Sequence, residues 1–239
     1  MDKQMEALAQ AMAPGRKTVF FGGAGVSTES GIPDFRSAGG IYGRQYAYPP
    51  EVMVSHSFFM AHPDEFYEFY RREMVWPRAK PNAAHIRLAE LEAEGRVTAV
   101  VTQNIDGLHQ MAGSKNVLEL HGSIHRNRCM RCGRKYGLEA ILTTDGVPRC
   151  ECGGIIKPEV VLYEEELDPR TLTAAVDAIS QADTLLIAGT SLAVYPAAGL
   201  IRYFEGGCLA LVNLSPTPMD QKADLVIRGK IGEVLSRIQ

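Results

Sequence analysis

No stretch of this sequence is apolar for long enough to cross a bilayer. The longest candidate, Leu185 to Ile201, is interrupted by Gly189, Thr190, Ser191, Tyr195 and Pro196, whereas a spanning helix needs about 20 apolar residues. The first residues, Met1-Asp2-Lys3-Gln4-Met5-Glu6, lack the basic-then-apolar layout of a secretory signal. There is no excess of charge of either sign. The net charge is −3 and the pI near 6.1, which leaves no electrostatic footprint for nucleic acid or a membrane surface. Internal repeats and low-complexity segments are absent. Cysteine is scarce, with five residues, a usage that suggests metal binding or reactivity rather than a disulfide framework. Together these absences point to the cytoplasm. What is present is ordinary for a globular chain: 239 residues, 46% hydrophobic and 22% charged. That is enough for one large domain or a domain with a small module.

The most informative stretch is Val100-Val101-Thr102-Gln103-Asn104-Ile105-Asp106-Gly107-Leu108-His109. The apolar run Val97 to Val101 reads as a buried strand, and its carboxyl end delivers two amides and a carboxylate. Open α/β sheets place ligands at such ends. A polar loop with a helix cap at Asp106 explains the same residues, and the decapeptide alone does not choose. Earlier, Thr18-Val19-Phe20-Phe21 runs into Gly22-Gly23-Ala24-Gly25-Val26-Ser27-Thr28. A strand followed by a glycine turn suits a pyrophosphate, because the backbone can approach it closely and free N–H groups attract the anion. Thr28 stands where the dinucleotide fingerprint has its third glycine, and no acidic ribose ligand follows, so a plain tight turn competes. In the loop Gly31 to Gly40, Arg36 could pair with phosphate and Phe35 could pack on a flat ring. Val117 to Gly122 is a further strand with His121 at its end. Thr184 to Ser191 and Cys208 to Ser215 repeat the pattern of a strand entering a polar turn.

Alternating strands and helices predict an α/β fold, a Rossmann-like doubly wound parallel sheet with a helical insert and a small inserted zinc-ribbon module. The expected layout is a large domain over about 1–35, 82–122 and 157–239, a helical and loop insert over about 36–81, and a zinc module over about 123–156. Phe58, Phe59, Phe66, Phe69 and Tyr70 supply the insert's apolar face. Cys129 and Cys132, then seventeen residues, then Cys150 and Cys152 form a zinc-ribbon signature. Four thiolates leave no open coordination position, which makes the metal structural. Ile155 to Tyr163 is expected to return to the main sheet. Cys208 reads as packed core.

Taken in order, these motifs resemble the sirtuins, NAD-dependent protein deacylases. The resemblance rests on Gly23 to Ser27, Gly31 to Arg36, Thr102 to His109, His121-Gly122, the cysteine pairs, Gly189 to Leu192 and Val212 to Ser215, and covers nearly the whole chain. It implies a protein-lysine deacetylase that transfers acetyl from lysine to ADP-ribose and releases nicotinamide and O-acetyl-ADP-ribose. His121 would be the general base, with Asn104 also catalytic. NAD would lie along Ala24, Gly25, Thr28, Phe35, Arg36, Gln103, Asn104, Ile105, Asp106, His121, Gly189, Thr190, Ser191, Asn213, Leu214, Ser215 and Ile231. One zinc ion would sit on Cys129, Cys132, Cys150 and Cys152, away from the chemistry. An acetyl-lysine peptide would add as a strand near Val160–Tyr163 and Leu192–Tyr195. No nucleic acid or membrane partner is implied. Leu162-Tyr163-Glu164-Glu165 departs from the commoner Phe-Phe-Gly-Glu and puts peptide preference in question. The Tyr-x-x-Arg pair of members that remove acidic acyl groups is not matched, since Tyr70 is followed by Glu73. The alternatives are an NAD-dependent protein ADP-ribosyltransferase, a deacylase for longer or acidic acyl groups, and a non-catalytic NAD or ADP-ribose sensor.

Overall fold

The computed structural model describes residues 2–37 and 39–238. Met1, Ala38 and Gln239 lie outside the described residues, Ala38 within the Gly31–Gly40 loop. Strands β1 (Thr18–Gly22), β2 (Val97–Thr102) and β3 (Val117–Glu119) are followed by β4 (Gly122–Cys129), β5 (Lys135–Tyr136) and β6 (Ile156–Val160), and then by β7 (Thr184–Ala188), β8 (Cys208–Val212) and β9 (Leu225–Ile227). Six of them form one sheet in the order β3-β2-β1-β7-β8-β9, with every pairing parallel. This is the doubly wound order expected. The direction of winding reverses between β1 and β7, and there the loops after the two strands separate to opposite sides and leave a crevice.

β1 and β7 are buried along their whole length because both faces of the sheet are covered. Side chains alternate across a strand, so Val19 and Phe21 pack with Leu185 and Ile187 on one face, and Phe20 packs with Leu186 on the other. The Phe20 face is covered by α1 (Asp2–Ala11) and by later helices. α2 (Pro50–Met53), α3 (His56–Ala61) and α4 (Pro63–Phe69) form the helical insert, and α5 (Ala83–Ala93) rejoins the sheet. α5 begins where Asn82 predicts it: the Asn82 Oδ1 accepts from the N–H groups of Ala84 and His85, a helix cap of the ordinary kind. α6 (Leu108–Ala112) follows β2, α7 (Glu139–Leu142) lies in the cysteine module, and α8 (Pro169–Ser180) and α9 (Ile231–Leu235) cover opposite faces of the sheet. Between β7 and β8, Ala197–Tyr203 forms 3₁₀ turns rather than an α-helix. Among the described residues no helix is long and apolar enough to cross a membrane.

The second lobe differs from the expectation in two ways. β6 does not return to the main sheet; it pairs antiparallel with β4 in the three-stranded sheet β5-β4-β6. The helical insert and the cysteine module also share one core: Phe59, Phe66, Tyr67 and Tyr70 pack with Ile124, Cys129, Ile141, Ile156 and Val160. The Tyr67 hydroxyl donates to the Ile156 carbonyl at 2.6 Å and the Arg71 Nε to that of Ile141 at 2.7 Å. A small sheet is stabilised by packing its hydrophobic face against a helix, and the insert supplies that partner.

Beneath the β2 loop, α5 and α6 bury His85 and His109 against each other, ring centroids 4.7 Å apart. Among the described residues neither nitrogen of His109 has a hydrogen-bond partner, nor does His85 Nε2. Burial lowers His85 from 6.5 to about 4, opposed by the charge of Asp106, and lowers His109 from 6.5 to about 3, with His85 adding to the effect. Both folded values lie below the unfolded ones, so the unfolded chain binds more protons in acid. Stability is therefore complete above about 6.5 and falls as pH drops from 6.5 toward 3–4. Urea denaturation at pH 7 and at pH 5 is expected to show a loss approaching about 1.4 kcal/mol per pH unit per histidine. His109→Leu should flatten that slope; an unchanged slope contradicts the assignment.

Candidate active site

The crevice at the winding reversal opens into a cavity of about 660 Å³. Its floor is a junction of two glycine turns. Gly25 N–H donates to the Gly189 carbonyl at 2.8 Å and Gly23 N–H to that of Ala188. A Cβ on Gly25 would lie 2.8 Å from Gly189 Cα, and one on Gly189, whose φ is +59°, would lie 2.4 Å from Val26 N. Only glycine fits on either side. Asn213 holds the second turn, its Oδ1 accepting from Thr190 N–H and its Nδ2 donating to the Thr190 carbonyl. Gln103 Nε2 donates to Thr190 Oγ1 at 3.1 Å and ties β2 to the same turn.

Above this floor sits a network centred on Ser27. Its hydroxyl donates to Asp106 Oδ2 at 2.6 Å and accepts from Asn104 Nδ2 at 3.0 Å. Asp106 Oδ1 accepts from Leu108 N–H at 2.9 Å. The cap and the site readings of Asp106 are therefore compatible: one oxygen steadies the turn into α6 and the other orients Ser27. A carboxylate has about four acceptor positions, so capacity remains for a ligand.

His121 lies at the turn between β3 and β4. Its Nδ1 is 3.0 Å from the Gln103 carbonyl. A carbonyl oxygen can only accept, so Nδ1 carries the proton and Nε2 keeps its lone pair. Burial lowers the His121 pKa, opposed by that hydrogen bond, which favours the charged ring. The imidazole is thus held neutral as a base near pH 7. Gly122 follows with φ +76°, where a Cβ would strike the Glu159 carbonyl at 2.0 Å. This close approach lets His121 accept Val161 N–H on its backbone oxygen at 2.9 Å and joins the sheet to the second lobe.

All the residues marked in the sequence as cofactor-binding, from Ala24 to Ile231, line this one cavity. Val160 to Tyr163, Val194 and Tyr195 line it too, while Leu192 does not; with φ 56° it turns away from extended geometry. A family model described as the Sir2 family matches residues 23–196. The chain belongs to the Sir2 family.

Relatives agree over the full length of this Sir2 chain. An NAD-dependent protein deacetylase of Clostridium acetobutylicum is 58% identical, covering 100% of the chain and 98% of its own length. One of Cutibacterium acnes is 56% identical, covering 98% and 97%. Among solved structures, a Sir2 complex with a deacetylated p53 peptide and 3'-O-acetyl ADP ribose has a TM-score of 0.90 at 41% identity, covering 98% of this chain and 96% of that one. A Sir2 complex with p53 peptide and NAD+ has a TM-score of 0.85 at 41% identity, covering 98% and 96%.

In the second lobe of this Sir2 chain the four cysteine sulfurs of Cys129, Cys132, Cys150 and Cys152 lie within 4.8 Å of one another, with Cys129–Cys152 at 3.4 Å and Cys132–Cys150 at 3.6 Å. Zn–S bonds of about 2.3 Å in a tetrahedron give sulfur–sulfur edges near this size. The set fits one zinc ion, as its spacing suggested. Sequence reasoning assigned no role to Ser27 beyond its turn, and none to Tyr42 or Glu73, which also line the cavity. Ser27 sits in a quoted motif, but its partners are 77 and 79 residues away.

Proposed function

We propose that this chain is an NAD-dependent protein-lysine deacetylase that passes the acetyl group to ADP-ribose, with release of nicotinamide. The observation that carries the reading is the convergence in one cavity of a neutral, oriented His121, the Asn104–Ser27–Asp106 network and the Gly25–Gly189 junction. The full-length relatives named above support it. Bound NAD supplies the nicotinamide–ribose bond that is broken and the ADP-ribose that accepts the acetyl group.

The roles then follow from what each group can do. The Gly23–Ser27 turn would border the pyrophosphate, with Arg36 as the counter-charge and Phe35 as cover. Asp106 accepts from the carboxamide of nicotinamide, while Asn104 and Ile105 hold its ribose side. Gly189, Thr190, Ser191, Asn213, Leu214, Ser215 and Ile231 border the adenosine half. His121 takes a ribose hydroxyl proton on Nε2. The zinc ion holds the second lobe and takes no part in catalysis. An acetyl-lysine peptide adds as a strand between Val160–Tyr163 and Leu192–Tyr195. Tyr163 already pairs through its backbone with Val54 and His56, and Val161 N–H with the His121 carbonyl. Such backbone recognition gives affinity with little side-chain discrimination. Four cysteines kept as thiolates for zinc fit a reducing compartment, and we assign the enzyme to the cytoplasm.

Exchange of labelled nicotinamide into NAD tests this site. The native chain should support exchange only when an acetyl-lysine peptide is present. Asp106→Asn should reduce it roughly 10- to 100-fold, the value of a hydrogen bond to a charged group. Exchange independent of the acetyl group, or undiminished in the variant, would overturn the assignment.

A further inference from the structure

The cavity is bridged by two segments that the reaction uses separately. Tyr42, in the loop after Arg36, and Tyr163, in the segment assigned to the peptide, bring their hydroxyl oxygens to 3.1 Å, and both residues line the cavity. Tyr42 packs edge-on against Phe35, centroids 5.6 Å apart. The Arg36 guanidinium lies 5.3 Å from the centre of the Tyr42 ring, and the Tyr42 N–H donates to the Phe35 carbonyl at 2.8 Å. On the other side, Tyr163 N–H donates to the Val54 carbonyl and its carbonyl accepts from His56 N–H, each at 3.0 Å. Glu164 follows with φ 74°, a conformation costly for any residue but glycine. Its two carboxylate oxygens accept from Ser57 N–H at 2.8 Å and Ser57 Oγ at 2.9 Å. Among the described residues the tyrosine pair is the one side-chain hydrogen bond between the Pro33–Arg44 loop and residues 160–166.

We propose that the Tyr42–Tyr163 hydroxyl pair is a positioning contact that couples NAD binding to acyl-peptide binding; the proposal rests on the reading that this cavity takes both. The links are contiguous. A phosphate that engages Arg36 fixes the guanidinium on the Tyr42 ring, the Tyr42 hydroxyl fixes Tyr163, and Tyr163 carries the backbone beside which the peptide lies. Such coupling is reciprocal: whatever the peptide does to NAD affinity, NAD does to peptide affinity.

The test is a binding cycle with a non-hydrolysable carbocyclic NAD analogue, titrated with and without saturating acetyl-lysine peptide. In the native chain the peptide should tighten analogue binding by roughly three- to tenfold, the worth of one neutral hydrogen bond. Tyr42→Phe, Tyr163→Phe and the double variant should each lose that factor, and to the same extent, since all three lack the same bond. A purely structural role would lower the melting temperature and weaken each ligand alone while leaving the factor intact. Retained coupling in Tyr163→Phe, a further loss in the double variant, or no coupling in the native chain overturns the proposal. Deacetylation by the native chain is followed in parallel. An active but uncoupled enzyme refutes the tyrosine pair alone, and a chain that neither reacts nor binds the analogue refutes the reading of the cavity.

Discussion

Replacing His121 with alanine is expected to lower kcat/KM for acetyl-lysine peptide by roughly two to four orders of magnitude, the usual worth of a positioned general base. The Gln103 carbonyl fixes the proton on Nδ1, so Nε2 is the free acceptor, and His121 lines the cavity. Removing the ring leaves that carbonyl without its donor, which costs on the order of 1–3 kcal/mol. The variant should still fold, with a modestly lower melting temperature. Burial sets the pH profile. Because it lowers the His121 pKa below 6.5, the basic form persists below that pH, and the acid limb of native kcat/KM should lie below 6.5 rather than at it. Steady-state kinetics across pH, with calorimetry on the variant, checks both statements. Near-native turnover in His121→Ala would remove the residue from its role.

Cys129→Ser is expected to lose zinc and to lower the melting temperature by roughly 6–12 °C. Three thiolates and a neutral serine hydroxyl hold the ion far more weakly than four thiolates do, and structural zinc contributes directly to folding free energy. The context moderates the loss. Cys129 and Cys150 belong to the core that the cysteine module shares with the helical insert, so packing against Phe59 and Tyr67 retains part of the lobe. A loss of about 3 kcal/mol, at roughly 2–4 °C per kcal/mol for a chain of this size, gives that range. The six-stranded sheet has separate cores and should survive. Metal analysis and differential scanning calorimetry test this together; a metal-free variant with native stability would contradict a structural role for the zinc.

The readable parts of this chain were those encoded locally. Gly25 and Gly189 announce a close backbone approach, the cysteine pairs announce a metal through their spacing, and Asn104 and Asp106 follow directly from an apolar run. The parts that could not be read depend on partners far along the chain. Ile156–Val160 has the apolar pattern of a strand, but nothing in it says that it pairs with Gly122–Cys129 rather than with the main sheet. The aromatic residues of the helical insert give an apolar face without naming the cysteine module as its partner. Ser27 gives no hint of bridging Asn104 and Asp106, and Glu164 gives none of a positive φ held by Ser57. A carboxylate at that position reads as bulk and charge at the groove; in the folded protein it also binds the start of α3.

The central claim is tested most directly by mass spectrometry of all products after incubating the native chain with NAD and an acetyl-lysine peptide. The account predicts nicotinamide, O-acetyl-ADP-ribose and free-lysine peptide in equal amounts. ADP-ribose attached to protein with the acetyl group still on lysine, or NAD left intact, would contradict it.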